Sequence, residues 1–444
     1  MNYERAKSII LIILVGTSIF LTWSIWTYEP EYDKFDQSSD LIKIKSDVQI
    51  VSDVIKPVSI LFHGNGRHFR TSDPVEINKM EKEFSQWSFT GVKEISVKRL
   101  QRKFDDFVHE DGSIEIEFSD DVPISLYKTV LNIVDKDVPE FSFDRIIIKQ
   151  KDISGNESSI YFVSYDQEKI YQGMVDSKRL RDFMDEFYTG SYSKHPEYTA
   201  ETINGKRTLF VPEKSIEVNQ FQYYIDILDI VNLKNALFIN PKYVRQDSVS
   251  VGEEYTDGTR LMTINKENYL ISYINPAQKR KLFVSSSDLL QKSIDFINDH
   301  AGWEDNNYRF AYMSENEQRV VFRLFVNGYP AFNESGMTEI EQIWGKEEIY
   351  SYDRPYFSLA SVLPSEESKT LRSGREVLDQ LKSTDNIDFK SVQDISIGYK
   401  LNKSLDSKLV TLVTLEPTWY YRIGDKWFVV PFEEDTGGDQ SGLE

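Results

Sequence analysis

The chain has 444 residues, of which 40% are hydrophobic and 28% charged, and its formal net charge is −20 at pH 7. This length exceeds what one hydrophobic core usually supports, about 250 to 300 residues, so we expect several domains. The negative charge disfavours nucleic acid as a partner, and 27 Phe with 25 Tyr exclude a disordered acidic tail. The chain has no cysteine, which excludes disulfides, thiolate metal sites and lipid attachment through a thiol.

The first 28 residues predict a membrane anchor. An uncharged, mostly apolar run over residues 8–28 follows Arg5 and Lys7, and about 20 such residues span a bilayer. Cationic residues before the run and acidic residues after it place the N-terminus in the cytoplasm and the rest outside. A cleavable signal peptide is the alternative, but its apolar stretch is usually shorter and ends in small residues. We therefore predict a cytoplasmic tail (1–7), a retained transmembrane helix (8–28) and a stalk (29–45).

One face of this helix is a candidate partner-binding surface. At 100° per residue, Ser18 and Thr22 lie about 40° apart, and they share their face with Leu11 and Val15, while Gly16 lies nearby. Helices in lipid associate through small residues and through hydrogen bonds between helices. Alternatively, the hydroxyl groups bond to carbonyls of their own helix, and the segment is only an anchor.

The first predicted domain, residues 46–195, mixes helices and strands. Asp73 predicts the N-cap of a helix that places Ile77, Met80 and Phe84 on one face. The other predicted elements are strands at 92–97, 114–118, 145–149 and 159–163, a hairpin turn at 152–157, and helices at 126–134 and 177–188.

Two further domains are predicted, at 196–301 and 302–444. The middle one has short strands and a helix from Asp288 to His300 that Gly302 ends. In the C-terminal one, strands at 320–326, 409–415 and 427–430 and a helix near 374–381 predict an antiparallel sheet with a helix on one face. The predicted fold is therefore α+β, with one N-terminal transmembrane helix and about three extracytoplasmic α+β domains that contain antiparallel sheets.

Signatures of catalysis are scarce. The chain lacks G-x-S-x-G, H-E-x-x-H, GxxxxGK[ST] and GxGxxG motifs. In His63-Gly-Asn-Gly-Arg-His68, the glycine amides, the arginine and two imidazoles could hold an anion. A surface turn explains the segment as well, and we prefer it because no thiol or paired carboxylate accompanies the histidines.

Other polar and aromatic groups also have a structural explanation. The pairs Asp105-Asp106 and Asp120-Asp121 could act as general acid and base, but we interpret them as solvated edges. The aromatic runs at 223–224 and 419–421 could line a groove, but we interpret them as core. We predict no catalytic residue, no cofactor and no metal ion.

Several segments resemble the YycH (WalH) family. They include Met-Asn-Tyr-Glu at the start, Lys7-Ser-Ile9, Leu21-Thr-Trp-Ser-Ile-Trp-Thr-Tyr-Glu-Pro30, Phe322-Arg-Leu-Phe-Val-Asn-Gly-Tyr-Pro-Ala-Phe332, Tyr352-Asp-Arg-Pro-Tyr-Phe357, Ile395-Ser-Ile-Gly-Tyr399 and Glu416-Pro-Thr-Trp-Tyr420. The likeness covers both ends of the chain well and the middle mainly by length, and no single motif is diagnostic. The later segments look like a C-terminal module that this family shares with its companion YycI.

The resemblance implies a non-enzymatic membrane regulator of a cell-wall sensor histidine kinase. It would bind the kinase WalK (YycG) together with YycI (WalI), partly through transmembrane helices, in a Gram-positive bacterium. The family has no catalytic residues to carry over to this chain. Two alternatives stay open, an adaptor of the wall-synthesis machinery and a wall hydrolase with an unrecognised site.

Overall fold

The computed structural model describes residues 2–27, 48–100, 102–280, 283–300, 302–303, 307–363, 367–403 and 412–432. It divides into two units, Met1–Leu41 and Ile42–Glu444. The predicted stalk (29–45) and the last residue of the predicted transmembrane segment, Tyr28, lie outside the described residues.

The first unit contains one helix, α1 (Asn2–Thr27), among its described residues. Within the part of the chain that the structure describes, no helix combines the length and the apolar character needed to cross a bilayer. The membrane anchor over residues 8–28 therefore stays a prediction.

In the second unit, ten of the described strands form one sheet in the order β10-β9-β2-β1-β4-β6-β7-β8-β3-β5. Its strands are β1 (Ser59–Gly64), β2 (Arg67–Thr71), β3 (Ser88–Ile95), β4 (Ser113–Pro123), β5 (Asn132–Ile133), β6 (Ser142–Lys149), β7 (Glu157–Ser164), β8 (Lys169–Asp176), β9 (Glu197–Ile203) and β10 (Arg207–Pro212). All pairs are antiparallel except β3 with β5. The predicted hairpin around 152–157 is confirmed, because it joins β6 to β7, which are paired.

The helices that accompany this sheet are α2 (Val51–Val54), α3 (Pro74–Phe84), α4 (Phe104–Val108), α5 (Ile124–Tyr127), α6 (Ser177–Phe183) and α7 (Ser191–Lys194). The prediction of α3 is confirmed, with the Asp73 carboxylate accepting the N–H of Val75 and with Ile77, Met80 and Phe84 buried. The predicted helix at 177–188 is confirmed as α6 and a π-helical turn over Met184–Tyr188.

The predicted helix at 126–134 is wrong. Helix α5 ends at Tyr127, and two residues of the predicted helix, Asn132 and Ile133, pair instead with β3. Three of the residues after α5, Val130, Ile133 and Val134, are β-branched, which lowers helix propensity and favours extended backbone. The pairing with β3 is a long-range contact that the helical spacing could not indicate.

A second sheet contains fourteen of the described strands. Its path is β13-β14-β15-β16-β21-β20-β18-β19-β24-β25-β12-β22, with β17 added beside β18 and β26 beside β25. The strands are β12 (Phe221–Ile227), β13 (Arg245–Val249), β14 (Gly252–Thr256), β15 (Leu261–Asn265), β16 (Leu270–Ile274), β17 (Tyr308–Ser314), β18 (Arg319–Val326), β19 (Tyr329–Phe332), β20 (Glu339–Trp344), β21 (Ile349–Pro355), β22 (Phe357–Val362), β24 (Asp394–Lys403), β25 (Leu412–Ile423) and β26 (Lys426–Val429). Strands β11 (Ile216–Asn219) and β23 (Ser368–Leu371) pair separately.

Three further helices lie in the described part of the chain after β10: α8 (Ile230–Leu237), α9 (Ser286–Asp299) and α10 (Gly374–Ser383). Helix α9 packs against β18 of the second sheet, whereas α10 packs against β9 and β10 of the first. The predictions of α9 and α10 are confirmed, and a reciprocal capping box between Ser373 and Glu376 begins α10. Gly302 has φ +68° and donates its N–H to the carbonyl of Ile297, which closes the end of α9. The described fold is thus mixed α+β, as predicted, and most of its regular structure is sheet.

Candidate functional site

Three histidines and a glutamate meet on the first sheet. His63 and His68 are directly opposite each other in the β1–β2 hairpin, and Glu115 lies on the neighbouring strand β4. His109 follows α4 and reaches the same place. We call His63, His68, His109 and Glu115 the histidine cluster. The side chains of His63 and Glu115 have no exposed surface, and that of His109 is 7% exposed.

The prediction that residues 63–68 form a turn is confirmed, because Asn65 and Gly66 both have positive φ in the two-residue loop. The statement that no paired carboxylate accompanies the histidines is wrong. Glu115 contacts His63 and His109, and it is 52 residues from His63 in the sequence. Its alternating Ile-Glu-Ile-Glu pattern predicted the strand but not the partners of the carboxylate.

The hydrogen bonds of the histidine cluster form a chain. Nε2 of His63 lies 2.9 Å from the Glu115 carboxylate, and Nδ1 of His63 lies 2.7 Å from Nδ1 of His68. Nδ1 of His109 lies 2.8 Å from the same oxygen of Glu115, while Arg145 donates to the other oxygen. Every oxygen of this buried carboxylate is therefore hydrogen-bonded.

This network assigns the protons of the cluster. Burial opposes charge on His109, but the Glu115 carboxylate and a hydrogen bond to Asp105 outweigh it and raise the pKa of His109 to about 9. Burial, with charge repulsion from the other histidines, lowers the pKa of His68 to about 4, and burial also lowers the pKa of His63. At neutral pH His109 is the cation, while His63 donates to Glu115 and accepts the proton of His68.

A metal ion would compete with this arrangement. His63, His109 and Glu115 each offer one ligand atom, and these three atoms lie within 4.8 Å of one another. Imidazole nitrogen and carboxylate oxygen are ligands that zinc accepts, so this described part of the chain has the ligand types of a zinc site. However, the guanidinium of Arg145 already neutralises Glu115, and a protonated His109 has no lone pair for a metal. The chemistry of this set fits a proton network better than it fits a cation.

The interpretation of Asp105-Asp106 as a solvated edge is right for Asp106 and wrong for Asp105. Asp106 is exposed. Asp105 is half-buried, accepts hydrogen bonds from Tyr165 and Thr208, and lies 3.4 Å from Nε2 of His109. The residue thus extends the histidine cluster.

A charged cleft lies beside the cluster and is lined by both sheets of the second unit. Its cavity volume is about 140 Å³. The wall from the first sheet includes Arg70, Glu117 and Arg145, and the wall from the second includes Asp394 and Arg422. Arg145 belongs to both regions, because it donates to Glu115 in the cluster and to Glu117 in the cleft.

The interpretation of Asp120-Asp121 as solvated is also wrong. Both residues are half-buried and line the cleft. Burial raises the pKa of Asp120 to about 7, although its carboxylate accepts the N–H of Met313 at 2.7 Å. Asp121 accepts hydrogen bonds from Ser164 and Gln167. Two adjacent carboxyl groups are thus held in a cleft, which chain position alone did not indicate.

The aromatic runs differ from each other. The prediction of core is confirmed for residues 419–421, which are all buried. At 223–224 it holds only in part, because Tyr223 packs against the core whereas Tyr224 is 37% exposed on β12.

The five predicted partner-binding residues, Leu11, Val15, Gly16, Ser18 and Thr22, all lie on α1 and are exposed within the first unit. The neighbouring Thr17 hydroxyl donates to the carbonyl of Ile13 at 2.8 Å, which is the self-bonding expected for hydroxyls in the alternative explanation. The role of this face stays a prediction.

The chain is similar to proteins called YycH along its whole length. The family described as "YycH protein, N-terminal domain" matches residues 4–190, and the one described as "YycH protein, C-terminal domain" matches residues 206–437. The two-component system WalR/WalK regulatory protein YycH of Bacillus subtilis (strain 168) is 27% identical over 467 residues, with 100% of both chains covered.

A solved structure shows the same fold. The crystal structure of YycH from Bacillus subtilis matches with a TM-score of 0.74 and 23% identity, over 88% of this chain and 99% of that one. The arrangement of the two sheets is therefore shared with that protein.

Proposed function

The chain belongs to the YycH family, and from that membership we propose that it is a regulator of a two-component system of the WalR/WalK kind. One observation carries the proposal: the chain aligns from end to end with a protein named as such a regulator. Regulation by this chain is non-enzymatic in our proposal, because the charges of the histidine cluster are mutually satisfied and sealed from solvent.

The proposal extends to place and partners. Residues 8–28 anchor the chain in the cell membrane, the N-terminus is cytoplasmic, and the second unit lies outside. The contacts are with the sensor histidine kinase WalK and with YycI, through α1 and through the extracytoplasmic part. The uncharged run behind Arg5 and Lys7 supports the anchor.

Site-specific photocrosslinking in the native membrane tests the partners. A photoreactive residue at Ser18 should capture a histidine kinase, whereas one at Phe20, about 160° around the same helix, should capture it much less. Equal capture from both positions would argue against a specific face of α1. If no position on α1 or on the second unit captures a kinase, the proposed function is wrong.

Reporter fusions test the topology. A cytoplasm-dependent reporter should be active at the N-terminus and inactive at Glu444, and an export-dependent reporter should show the opposite pattern. A mature chain that lacks residues 1–28 would contradict the retained anchor.

A second candidate function is hydrolysis of wall polymers, which one observation favours. The carboxyl of Asp120, with a pKa of about 7 in the charged cleft, is in the range of a general acid. Incubation of the full chain with peptidoglycan decides between the two functions. We expect no release of soluble fragments, and release that Asp120→Asn abolishes would establish the hydrolase.

A further inference from the structure

Two opposite charges in the charged cleft have no directly bonded partner among the described residues. Arg422 on β25 and Asp394 on β24 are directly opposite each other in the register of the two strands, and both are half-buried. Neither side chain makes an ion pair or a side-chain hydrogen bond with the residues that the structure describes, and Nε of Arg422 is buried without a hydrogen-bond partner. Unpaired polar groups in buried places are rare in folded proteins and call for an explanation.

The other arginines that line the cleft are paired. All four have carboxylate partners: Arg70 lies 2.9 Å from Glu117, Arg145 contacts Glu115 and Glu117, and Arg207 contacts Asp166. The fourth, Arg323, donates to Glu339. On the acidic side, Asp144 bonds with Arg145 and Asp425 with Arg319. Asp120 and Asp121 form no ion pair with the described residues but accept hydrogen bonds from Met313, Ser164 and Gln167. Arg422 and Asp394 differ from these described lining residues because their side chains have neither an ion pair nor a hydrogen bond.

These two residues would normally pair with each other. Side chains at opposed positions of antiparallel strands have Cβ atoms roughly 4.5 to 5.5 Å apart, and opposite charges there attract. Other groups compete for them: Arg422 interacts with the carboxyl of Asp120, and Asp394 interacts with Arg70 and Arg207. The result is one cation and one anion, side by side, that both border the same cavity.

We propose that the charged cleft binds a small zwitterionic ligand, an amino acid or a short peptide, whose carboxylate lies on Arg422 and whose ammonium group lies on Asp394. A planar guanidinium binds a carboxylate through two parallel hydrogen bonds. The Arg422 guanidinium lies over the ring of Trp427, 6.0 Å from its centroid, which is a cation–π distance. A cavity of about 140 Å³ is close to one of about 150 Å³ that admits benzene, so the ligand is small.

The test of this ligand site does not depend on the proposed regulatory function, because ligand binding is measured on the purified chain. The experiment is isothermal titration calorimetry of the full chain in detergent with three probes. Glycylglycine carries both charges, N-acetylglycylglycine lacks the ammonium group, and glycylglycinamide lacks the carboxylate. We expect glycylglycine to bind and each derivative to bind roughly 10- to 100-fold more weakly, because each loses one of the two charged contacts.

Two variants assign the contacts. With Arg422→Gln, glycylglycine and glycylglycinamide should bind equally weakly, because the group that distinguishes them is gone. With Asp394→Asn, glycylglycine and N-acetylglycylglycine should become equivalent. Asp379→Asn, an exposed change on α10, is the matched control and should leave all three affinities unchanged. If Arg422 or Asp394 had only a structural role, its substitution would weaken the binding of all three probes by the same factor.

Two outcomes would overturn the proposal. One is the absence of binding by glycylglycine at millimolar concentration to a chain whose folding is confirmed by circular dichroism. The other is binding that neither derivative weakens, which would mean that the charges of the ligand are not recognised.

Discussion

His109 carries a positive charge at neutral pH because the Glu115 carboxylate and the hydrogen bond to Asp105 outweigh the cost of burial. Its pKa is about 9 in the folded chain and about 6.5 in an unfolded one. A raised pKa means that the folded chain binds the proton more tightly. The resulting stability is complete below about pH 6.5 and is lost as the pH rises through about 9.

We therefore expect His109→Gln to remove a pH dependence. The difference in unfolding free energy between the natural chain and this variant should shrink by about 3 kcal/mol as the pH rises from 6 to 10. Urea denaturation at each pH measures it. His300→Gln, a change to a half-buried histidine at the end of α9, is the control and should keep the pH dependence that His109 causes. An equal slope in the natural chain and in His109→Gln would contradict the charge assignment.

For single residues, the sequence predicted local backbone geometry better than it predicted which side chains would contact each other. The Asn65-Gly66 turn follows from backbone preferences, since both residues tolerate positive φ. The role of Glu115 depends on β1 and β4 being neighbours, which places its side chain on the same face of the sheet as His63. A glutamate between two isoleucines indicated a carboxylate in a strand, but the pattern could not identify the residues that contact it.

Helices with an explicit cap were predictable and weakly marked ones were not. Asp73 and Ser373 begin α3 and α10 where the sequence predicted helices, because a side-chain oxygen satisfies the first free N–H groups. The spacing of apolar residues after Leu126 indicated a helix as well. There the pairing of β5 with β3 determined the backbone, and spacing within one segment carries no information about such a partner.

The turn between β18 and β19 approaches the first sheet closely enough to require glycine. Gly328 has φ +84°, and a Cβ there would lie 2.0 Å from the carbonyl oxygen of Ser72. Gly336 has φ +86° with open space around it, so it is a matched control. Alanine costs about 1 to 2 kcal/mol of backbone strain at either position.

We expect Gly328→Ala to lower the unfolding free energy by a further 1 to 3 kcal/mol or so relative to Gly336→Ala, because only the first must displace backbone. Chemical denaturation of both variants measures the difference. Equal losses of unfolding free energy in the two variants would show that the backbone at Ser72 moves aside without a free-energy cost.

For α1, the prediction concerns Ser18 and Thr22. If this face contacts another helix in lipid, Ser18→Leu with Thr22→Leu removes interhelical hydrogen bonds that are worth about 1 to 2 kcal/mol in model peptides. Transcription from a promoter controlled by the response regulator should then change, while the amount of exported chain stays the same. Phe20→Leu, on the opposite side of the helix, is the control and should have no effect. Replacement of residues 8–26 by an unrelated anchor should abolish regulation, and full regulation by that chain would place the contact in the second unit.

For the whole molecule, the sequence predicted domain boundaries near residues 195 and 301, and these domain boundaries stay predictions. Within Ile42–Glu444, however, the described halves are joined by specific hydrogen bonds. The N–H of Met313 donates to Asp120 at 2.7 Å, and Arg207 donates to the carbonyl of Gln393 at 3.0 Å. Such contacts between distant parts of the chain have no local signature, because their partners are about 190 residues apart.

These links predict that the two sheets unfold together. Hydrogen exchange followed by mass spectrometry at increasing urea concentration reports each sheet separately, through peptides from β6–β8 and from β24–β25. We expect both sets to lose protection at one urea concentration, because opening either sheet exposes the cleft side chains and the hydrogen bonds that join them. Asp120→Ala removes the acceptor of the Met313 N–H, so it should shift both transitions to lower urea by the same amount. Loss of protection in β6–β8 at a lower urea concentration, with β24–β25 unchanged, would instead show that residues 46–195 are an independent folding domain.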